Sequence, residues 1–203
     1  IMGMDSRIRL KDRRCLSISM LDAAYSVLND KPFKEYDITG TSAEKSLKRA
    51  QIIADEVKFH SEKLNKNYKN NNSRPSVVNV GVVGNILKLL NEQGFDVKAT
   101  DFDEELIGKE INGVKVYDGH NYTMKLIAES DIALITGMTL ATNTLGDIIE
   151  IAEKNNTKLV MFNETGSWFG SELVKSFPVE GVISETFPFY IFEGHSRISV
   201  HRK

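Results

Sequence analysis

The sequence contains a single cysteine, Cys15, among its 203 residues. One thiol can neither close an internal disulfide nor supply the thiolate cluster of a structural zinc site. Histidines are also scarce, and none of the four is spaced as a metal-binding partner of another. The sequence therefore gives no support for a tight transition-metal site, and we assign no metal ligand from it.

Long apolar runs and an excess of one charge are missing as well. No stretch approaches the roughly 18 apolar residues that a membrane helix needs, so we predict a cytoplasmic protein without a membrane partner. The formal net charge of −2 gives no electrostatic reason for general nucleic-acid binding, and we predict none. P-loop, Gly-x-Ser-x-Gly and His-Glu-x-x-His motifs do not occur, which argues against P-loop nucleotidases, serine hydrolases and zincins.

The first third of the chain is predicted to be helical. Apolar residues recur at helical spacing over 17–29, and Thr41 and Glu44 have the spacing of a capping box. The box predicts a long amphipathic helix over 42–65, whose apolar stripe would dock on the rest of the molecule or on a second copy. The polar segment 65–75 that follows is the best domain boundary in the sequence. We therefore predict a helical N-terminal extension over 5–75 and a homodimer contact through helix 42–65.

Residues 76–203 show a different pattern, in which apolar strands alternate with helices. The predicted strands lie near 77–83, 96–101, 114–117, 131–136, 158–162 and 181–185, and the predicted helices near 84–94, 121–129, 143–155 and 170–176. This alternation predicts an α/β fold, namely a Rossmann-like open, mostly parallel sheet with helices on both faces. Near the end, Ile198 and Val200 alternate with polar residues, which predicts an edge strand.

A glycine-rich turn follows the first strand of this ligand-binding domain. Gly81 and Gly84 allow a tight bend, and with Asn85 they bring backbone N–H groups to the start of a helix. Asp101 ends the second strand, where an acid can accept hydrogen bonds from a ribose. The full G-x-G-x-x-G is missing, however. Two interpretations stay open: a nucleotide-like ligand, or a tight turn in which Asp103 caps the next short helix.

A second loop, over 136–144, follows the strand near 131–136 and is rich in hydroxyl groups. These side chains carry no charge, so they would orient a ligand without supplying a base or nucleophile. The predicted contacts from this loop are Thr136, Gly137, Thr139, Asn143 and Thr144. The alternative is that Thr142 or Asn143 only caps the helix that follows.

Two carboxylates end later strands of the predicted sheet. Glu164 stands in Asn163-Glu164-Thr165, and Glu185 follows the next strand. Paired carboxylates can divide acid and base roles or bind a hard cation, although such residues also cap loop amides. We take Glu164 as the best candidate for a general base or a cation ligand, with Asn163 and Thr165 as further ligand contacts.

The stretch from Val77 to about Glu193 resembles the Rossmann-like domain of a prokaryotic family of putative heavy-metal chelation proteins. The resemblance rests on Gly81-Val82-Val83-Gly84, on Asp101 and on the segment Thr136-Gly137-Met138-Thr139-Leu140-Ala141-Thr142-Asn143-Thr144. It implies a ligand cleft between this domain and a small enolase-N-terminal-like domain, and a link to metal or metal-cofactor metabolism. Residues 5–75 do not match that partner domain.

Three functional hypotheses follow. The first is a Rossmann-like protein that binds a small polar or heterocyclic molecule, with no defined reaction. The second is an enzyme that uses S-adenosylmethionine, as a methyltransferase, or NAD(P), as an oxidoreductase. The third is a non-enzymatic dimeric scaffold. Fold alone does not decide among them.

Overall fold

The computed structural model describes residues 13–28, 31–64, 74–186 and 194–203. Most of the predicted boundary over 65–75 and the start of the predicted extension lie outside these ranges. The described helices are α1 Arg13–Tyr25, α2 Ser42–Glu62, α3 Gly84–Glu92, α4 Gly119–Ala128, α5 Met138–Thr142, α6 Leu145–Asn155 and α7 Gly170–Ser176. The strands are β1 Lys34–Ile38, β2 Ser76–Val80, β3 Asp96–Asp101, β4 Glu110–Ile111, β5 Val114–Asp118, β6 Ile132–Thr136, β7 Lys158–Asn163, β8 Val179–Glu185 and β9 Ser196–Arg202.

The strands form one open sheet in the order β1-β9-β8-β7-β6-β2-β3-β5-β4. The six strands from β8 to β5 in this order are parallel, and β9, β1 and β4 are antiparallel to their neighbours. The predicted α/β fold with a mostly parallel sheet is therefore confirmed. Among the described helices, none has both the length and the apolar character needed to cross a membrane.

Helices cover both faces of the sheet, as its apolar strands require. On one face, buried side chains of β2, β6 and β7 pack against α4, α6 and α7. On the other face, the same strands pack against α2 and α3. Because both faces are covered, the central strands read as nearly continuous apolar runs.

The N-terminal part joins this sheet. Thr41 caps α2 by accepting the Glu44 backbone N–H, and the Glu44 carboxylate accepts the Thr41 N–H, so the predicted capping box is confirmed. The apolar stripe of α2 is buried against the sheet through Ala50, Ile53 and Val57.

Strand β1 was not predicted, because its sequence KEYDI is short and largely charged. It pairs with β9, which therefore lies between β8 and β1. The prediction that the segment around Ile198 and Val200 forms an edge strand was wrong for this reason.

A buried ion pair fastens α2 to the sheet. The Arg49 guanidinium donates to both carboxylate oxygens of Glu185, with Nη2 2.8 Å from Oε1, and the Ser196 hydroxyl donates to the same carboxylate. Glu185 is fully buried and Arg49 nearly so. A buried carboxylate without partners is energetically costly. The contacts of Glu185 on β8 therefore hold α2, through Arg49, and β9, through Ser196, in one arrangement.

Replacing Arg49 by methionine is expected to lower the free energy of unfolding by about 3–5 kcal/mol, because it leaves the buried Glu185 carboxylate without its positively charged partner. The double variant Arg49→Met/Glu185→Leu should recover much of that loss. Lys88→Met is the matched control, since Lys88 pairs with Glu92 on the surface at 3.9 Å. It should change stability by about 0.5 kcal/mol or less. Urea unfolding checks all three variants, and equal losses for Arg49→Met and Lys88→Met would contradict the assignment.

Candidate functional site

The strand order places a topological switch point between β2 and β6. From β2 the chain proceeds through β3 to β5 on one side, and from β6 through β7 to β8 on the other. The loops after β2 and β6 therefore leave the sheet in opposite directions and open a crevice at its carboxyl edge. In open α/β sheets, ligands bind in this crevice.

The two predicted loops meet in this crevice. Gly81 follows β2 with φ +87°, and Thr136 ends β6 directly beside it. A Cβ atom built on Gly81 would lie 2.9 Å from Thr136 Cγ2, so the side chain of Thr136 packs on the bare glycine backbone. Both the dihedral angle and this close approach require glycine at position 81.

A cavity of about 520 Å³, which we call the switch-point cavity, opens at this contact. Six of the predicted site residues line it: Gly81, Asp101, Thr136, Thr139, Thr144 and Glu164. Its apolar walls come from Val80, Val82, Val83, Phe102, Met124, Met138 and Ile148. Half of the lining residues have polar side chains, Thr100, Thr123 and Thr142 among them, while most of the exposed lining surface is apolar.

Asp101 holds the first loop. One carboxylate oxygen accepts the Val82 N–H at 2.7 Å, and the other accepts the Asp103 N–H at 3.0 Å. Asp103 in turn accepts the Glu105 N–H at 2.9 Å, but residues 104–108 form a turn and not the short helix that the capping interpretation expected. Each Asp101 oxygen keeps further lone pairs, so the carboxylate can still accept a ligand hydroxyl.

The threonines of the second loop bond to one another and to the backbone. Thr139 donates to the Thr136 carbonyl at 2.8 Å, Thr142 lies 3.1 Å from the Met138 carbonyl, and the Thr142 and Thr144 hydroxyls are 2.9 Å apart. Helix α6 begins after Thr144 without a side-chain cap. The alternative that Thr142 or Asn143 caps this helix was wrong, because the Thr142 hydroxyl bonds within its own loop and Asn143 ends α5 in a left-handed conformation.

Glu164 reaches the cavity from the end of β7, and it has no hydrogen-bond partner among the described residues. Burial raises the pKa of its carboxyl to about 7, against a smaller lowering by the Arg49 charge, and Glu185 adds to the rise. At neutral pH this group is therefore near the midpoint between its acid and base forms.

The structure places the remaining predicted residues outside the cavity lining. Asn85 donates to Ser46 on α2 at 3.0 Å, and the Gly84 carbonyl accepts from Asn112 at 2.8 Å. The other four are exposed or packed beneath the second loop: Asn143, Gly137, Asn163 and Thr165. A Cβ on Gly137 would lie 2.6 Å from the Thr165 carbonyl oxygen, which shows how closely these two segments pack.

Phe102, which the sequence did not point to, forms one wall of the cavity together with His120. Their rings lie 4.4 Å apart with an interplanar angle of 35°, and Phe102 is 43% exposed. Phe102 directly follows the acid that ends β3, and His120 lies in the first turn of α4 after its cap, Asp118. The available signal in the sequence was an aromatic residue directly after Asp101, at the predicted carboxyl end of a strand.

The described residues do not offer a metal centre. Within them, no group of three or more His, Cys, Asp or Glu side chains lies close enough to hold a metal ion. In the cavity lining, each Asp101 oxygen accepts one backbone N–H, and Glu164 follows a different strand of the sheet.

A second cavity, of about 530 Å³, lies by β8 and β9 near Ser184 and Arg197. None of the predicted site residues lines it. The switch-point cavity is the better candidate, because it alone lies at the crevice that the strand order creates.

Both the family match and two solved structures agree with the α/β fold described above. Residues 69–162 match the model of the family DUF364, described as "Putative heavy-metal chelation", which confirms the resemblance inferred from the loops. A protein of this family from Pyrococcus horikoshii, of unknown function, superposes with a TM-score of 0.52 at 15% identity, covering 65% of this chain and 57% of its own.

A second member, from Desulfitobacterium hafniense and also of unknown function, gives a TM-score of 0.50 at 15% identity, covering 68% of this chain and 56% of its own. The chain thus spans a little over half the length of these two structures. A search of curated proteins found no match.

Gly81→Ala is expected to lower the free energy of unfolding by about 2–3 kcal/mol, because it combines an unfavourable φ with a collision against Thr136. Gly94→Ala is the matched control, since Gly94 has φ +89° but open space around its Cα. It should cost about 1 kcal/mol from the backbone alone. Adding Thr136→Ala to Gly81→Ala should recover the part of the loss that exceeds the Gly94→Ala loss, because it removes the collision. Denaturant unfolding measures the free energy of unfolding of each variant. Equal losses at the two glycines would refute the close contact.

Glu164→Gln is expected to stabilise the protein above pH 7 and to have less effect as the pH falls towards 4.5. The folded state holds the proton up to a pKa of about 7, against 4.5 for an unperturbed glutamate, so wild-type stability falls as the pH rises through that window. The side chain keeps some contact with solvent, so we expect a gain of about 1 kcal/mol, or roughly 2–4 °C in Tm. Melting curves at pH 5 and pH 8 measure it. Glu153→Gln, on the exposed surface of α6, is the control, and a pH-independent difference for Glu164→Gln would contradict the pKa shift.

Proposed function

We propose that this protein binds a small molecule in the switch-point cavity. The observation that carries the proposal is the contact of Gly81 with Thr136, because it joins both predicted loops in one cavity at the carboxyl edge of the sheet. The cavity's volume of about 520 Å³ is in the range of ordinary ligand sites.

The lining favours a ligand with a flat apolar part and a hydroxyl or amide edge. Phe102 and His120 offer ring faces, and Met124 and Met138 add polarisable walls. Asp101 provides acceptor capacity at the rim. A few polar groups in a largely apolar cavity are the usual means of orienting a heterocyclic ligand.

Glu164 is the residue that we propose for acid–base chemistry, if the bound molecule reacts. Its carboxyl faces the cavity without a hydrogen-bond partner among the described residues, and its pKa of about 7 suits proton exchange at neutral pH. This supports an enzyme as the second candidate function. It does not choose a reaction class, because one carboxyl serves many reactions.

A role in metal handling, which the family description suggests, receives no support from the described side chains. They bring no three metal-ligating groups together. The scaffold hypothesis is also weaker, since α2 has its apolar stripe packed on its own sheet. We therefore assign the helical N-terminal part a structural role towards the ligand-binding part.

The wild-type protein is expected to be stabilised by at least one member of a defined panel: adenosine, guanosine, S-adenosylmethionine, S-adenosylhomocysteine, NAD and NADP. A ligand at ten times its Kd raises stability by about 1.4 kcal/mol, which a thermal shift detects. Phe102→Ala should weaken that binding by roughly tenfold, because it removes a ring face from the cavity.

Phe177→Ala is the matched control, since Phe177 is also 43% exposed but lies outside the cavity lining. It should leave the thermal shift unchanged. Mass spectrometry of the denatured, freshly purified protein provides a second readout for a bound molecule outside the panel. The proposal fails if no compound binds by either measurement, or if both phenylalanine variants lose binding equally.

A further inference from the structure

The ionisable side chains that line the switch-point cavity are mostly acidic. Its described lining includes two carboxyl groups, Asp101 and Glu164, and no lysine or arginine. His120 is the one other ionisable side chain in that lining. A ligand that carries phosphate would therefore enter a site in which the fixed side-chain charge repels it.

The first two amides of the glycine loop are not free to compensate for this charge. Glycine-rich turns at helix starts usually hold phosphate through free backbone N–H groups. Here the Gly81 N–H donates to the Thr100 carbonyl at 2.9 Å, and the Val82 N–H donates to Asp101 at 2.7 Å. The carboxylate of Asp101 thus takes an amide of the loop that a phosphate would otherwise use.

The first two residues of helix α3 also lie outside the described cavity lining. Gly84 and Asn85 are absent from its described lining, and the Gly84 carbonyl is tied to Asn112 on the β4–β5 side of the sheet. The Asn85 side chain bonds to Ser46 of α2. Gly84 and Asn85 are therefore in contact with other elements, and Val83 is the residue of this helix start that lines the cavity.

Glu164 adds a second carboxyl at the opposite rim. Arg49, the cation that acts on it, donates to both oxygens of Glu185 and is part of that buried pair. The positive charge near Glu164 is therefore already balanced by another carboxylate. A charged Glu164 disfavours an anion and favours a neutral or cationic group beside it.

What remains in the cavity suits the base and sugar of a nucleoside. The Phe102 and His120 rings can stack on a heterocycle, and Asp101 can accept from hydroxyls. Resting on the ligand site proposed above, we infer that the ligand is a phosphate-free nucleoside or nucleoside derivative, neutral or cationic. Nucleotides and dinucleotides are disfavoured. Of the two cofactor types considered, a sulfonium nucleoside fits and a nicotinamide dinucleotide does not.

Titration calorimetry of the full chain at pH 8 tests the inference with matched pairs. The probes are adenosine, guanosine, cytidine and uridine, each compared with its 5′-monophosphate, together with S-adenosylmethionine and NAD. At least one nucleoside or S-adenosylmethionine should bind. The monophosphates should bind at least roughly tenfold more weakly than their nucleosides, and NAD should bind more weakly than S-adenosylmethionine. A monophosphate or NAD that binds as tightly, or no binding by any phosphate-free probe, overturns the inference.

Glu164→Gln separates charge from shape, because it keeps the size of the side chain and removes its charge. It should strengthen monophosphate binding by about threefold to tenfold relative to binding of the matched nucleoside. Glu153→Gln, outside the cavity, should change neither affinity. If both Glu variants behave alike, the selection against phosphate does not come from the cavity.

The outcomes also distinguish this inference from the proposed function. NAD binding that is lost in Phe102→Ala would leave the ligand site in place and refute the charge argument alone. If Phe102→Ala weakens the binding of none of the probes, with or without phosphate, the ligand site itself is refuted.

Discussion

The parallel pairing of β2 with β6 is the constraint on which the candidate site depends. The pairing runs in register from Val77 with Ile132 to Val80 with Ile135, so the next residues of the two strands, Gly81 and Thr136, meet at the carboxyl edge. Because Gly81 lacks a side chain, Thr136 packs directly on its backbone. A shift of one residue in this register would exchange the faces of β6 and separate the two loops. The cavity is thus a consequence of strand register, and the loop side chains only shape its lining.

Most of the fold could be predicted from the sequence, because hydrophobic periodicity is local information. Strands and helices between residues 76 and 185 alternate with clear turn residues, and the capping box at Thr41 marks the start of α2. Strand β1 could not be recognised in this way. Strand β1 is stabilised by pairing with β9, which lies about 160 residues later in the sequence. Its apolar alternation is limited to Tyr36 and Ile38, because the other three residues are charged. Because β1 is not recognised, the sequence predicts β9 as an edge strand of the sheet.

The site was predictable in part, and for a physical reason. Residues that end parallel strands must share one edge of the sheet, so Gly81, Asp101 and Thr136 could be placed together from sequence alone. The direction in which a side chain points beyond the strand end depends on the loop's own hydrogen bonds. Asn85 was expected in the site but bonds to Ser46, a residue of a helix 39 positions earlier.

Helix α2 connects the N-terminal part to the chemistry of the cavity. Arg49 neutralises Glu185 in the core, and its charge also lowers the pKa of Glu164, whereas the Glu185 carboxylate raises it. Burial is the larger effect, so the protonation of Glu164 reflects a balance set by a helix that does not line the cavity. Removing α2 would therefore do more than expose one face of the sheet. It would leave Glu185 without the Arg49 cation, and it would remove from Glu164 a positive charge that favours its ionised form. The helical N-terminal part is in this sense a component of the candidate site, even though the two were predicted as separate units.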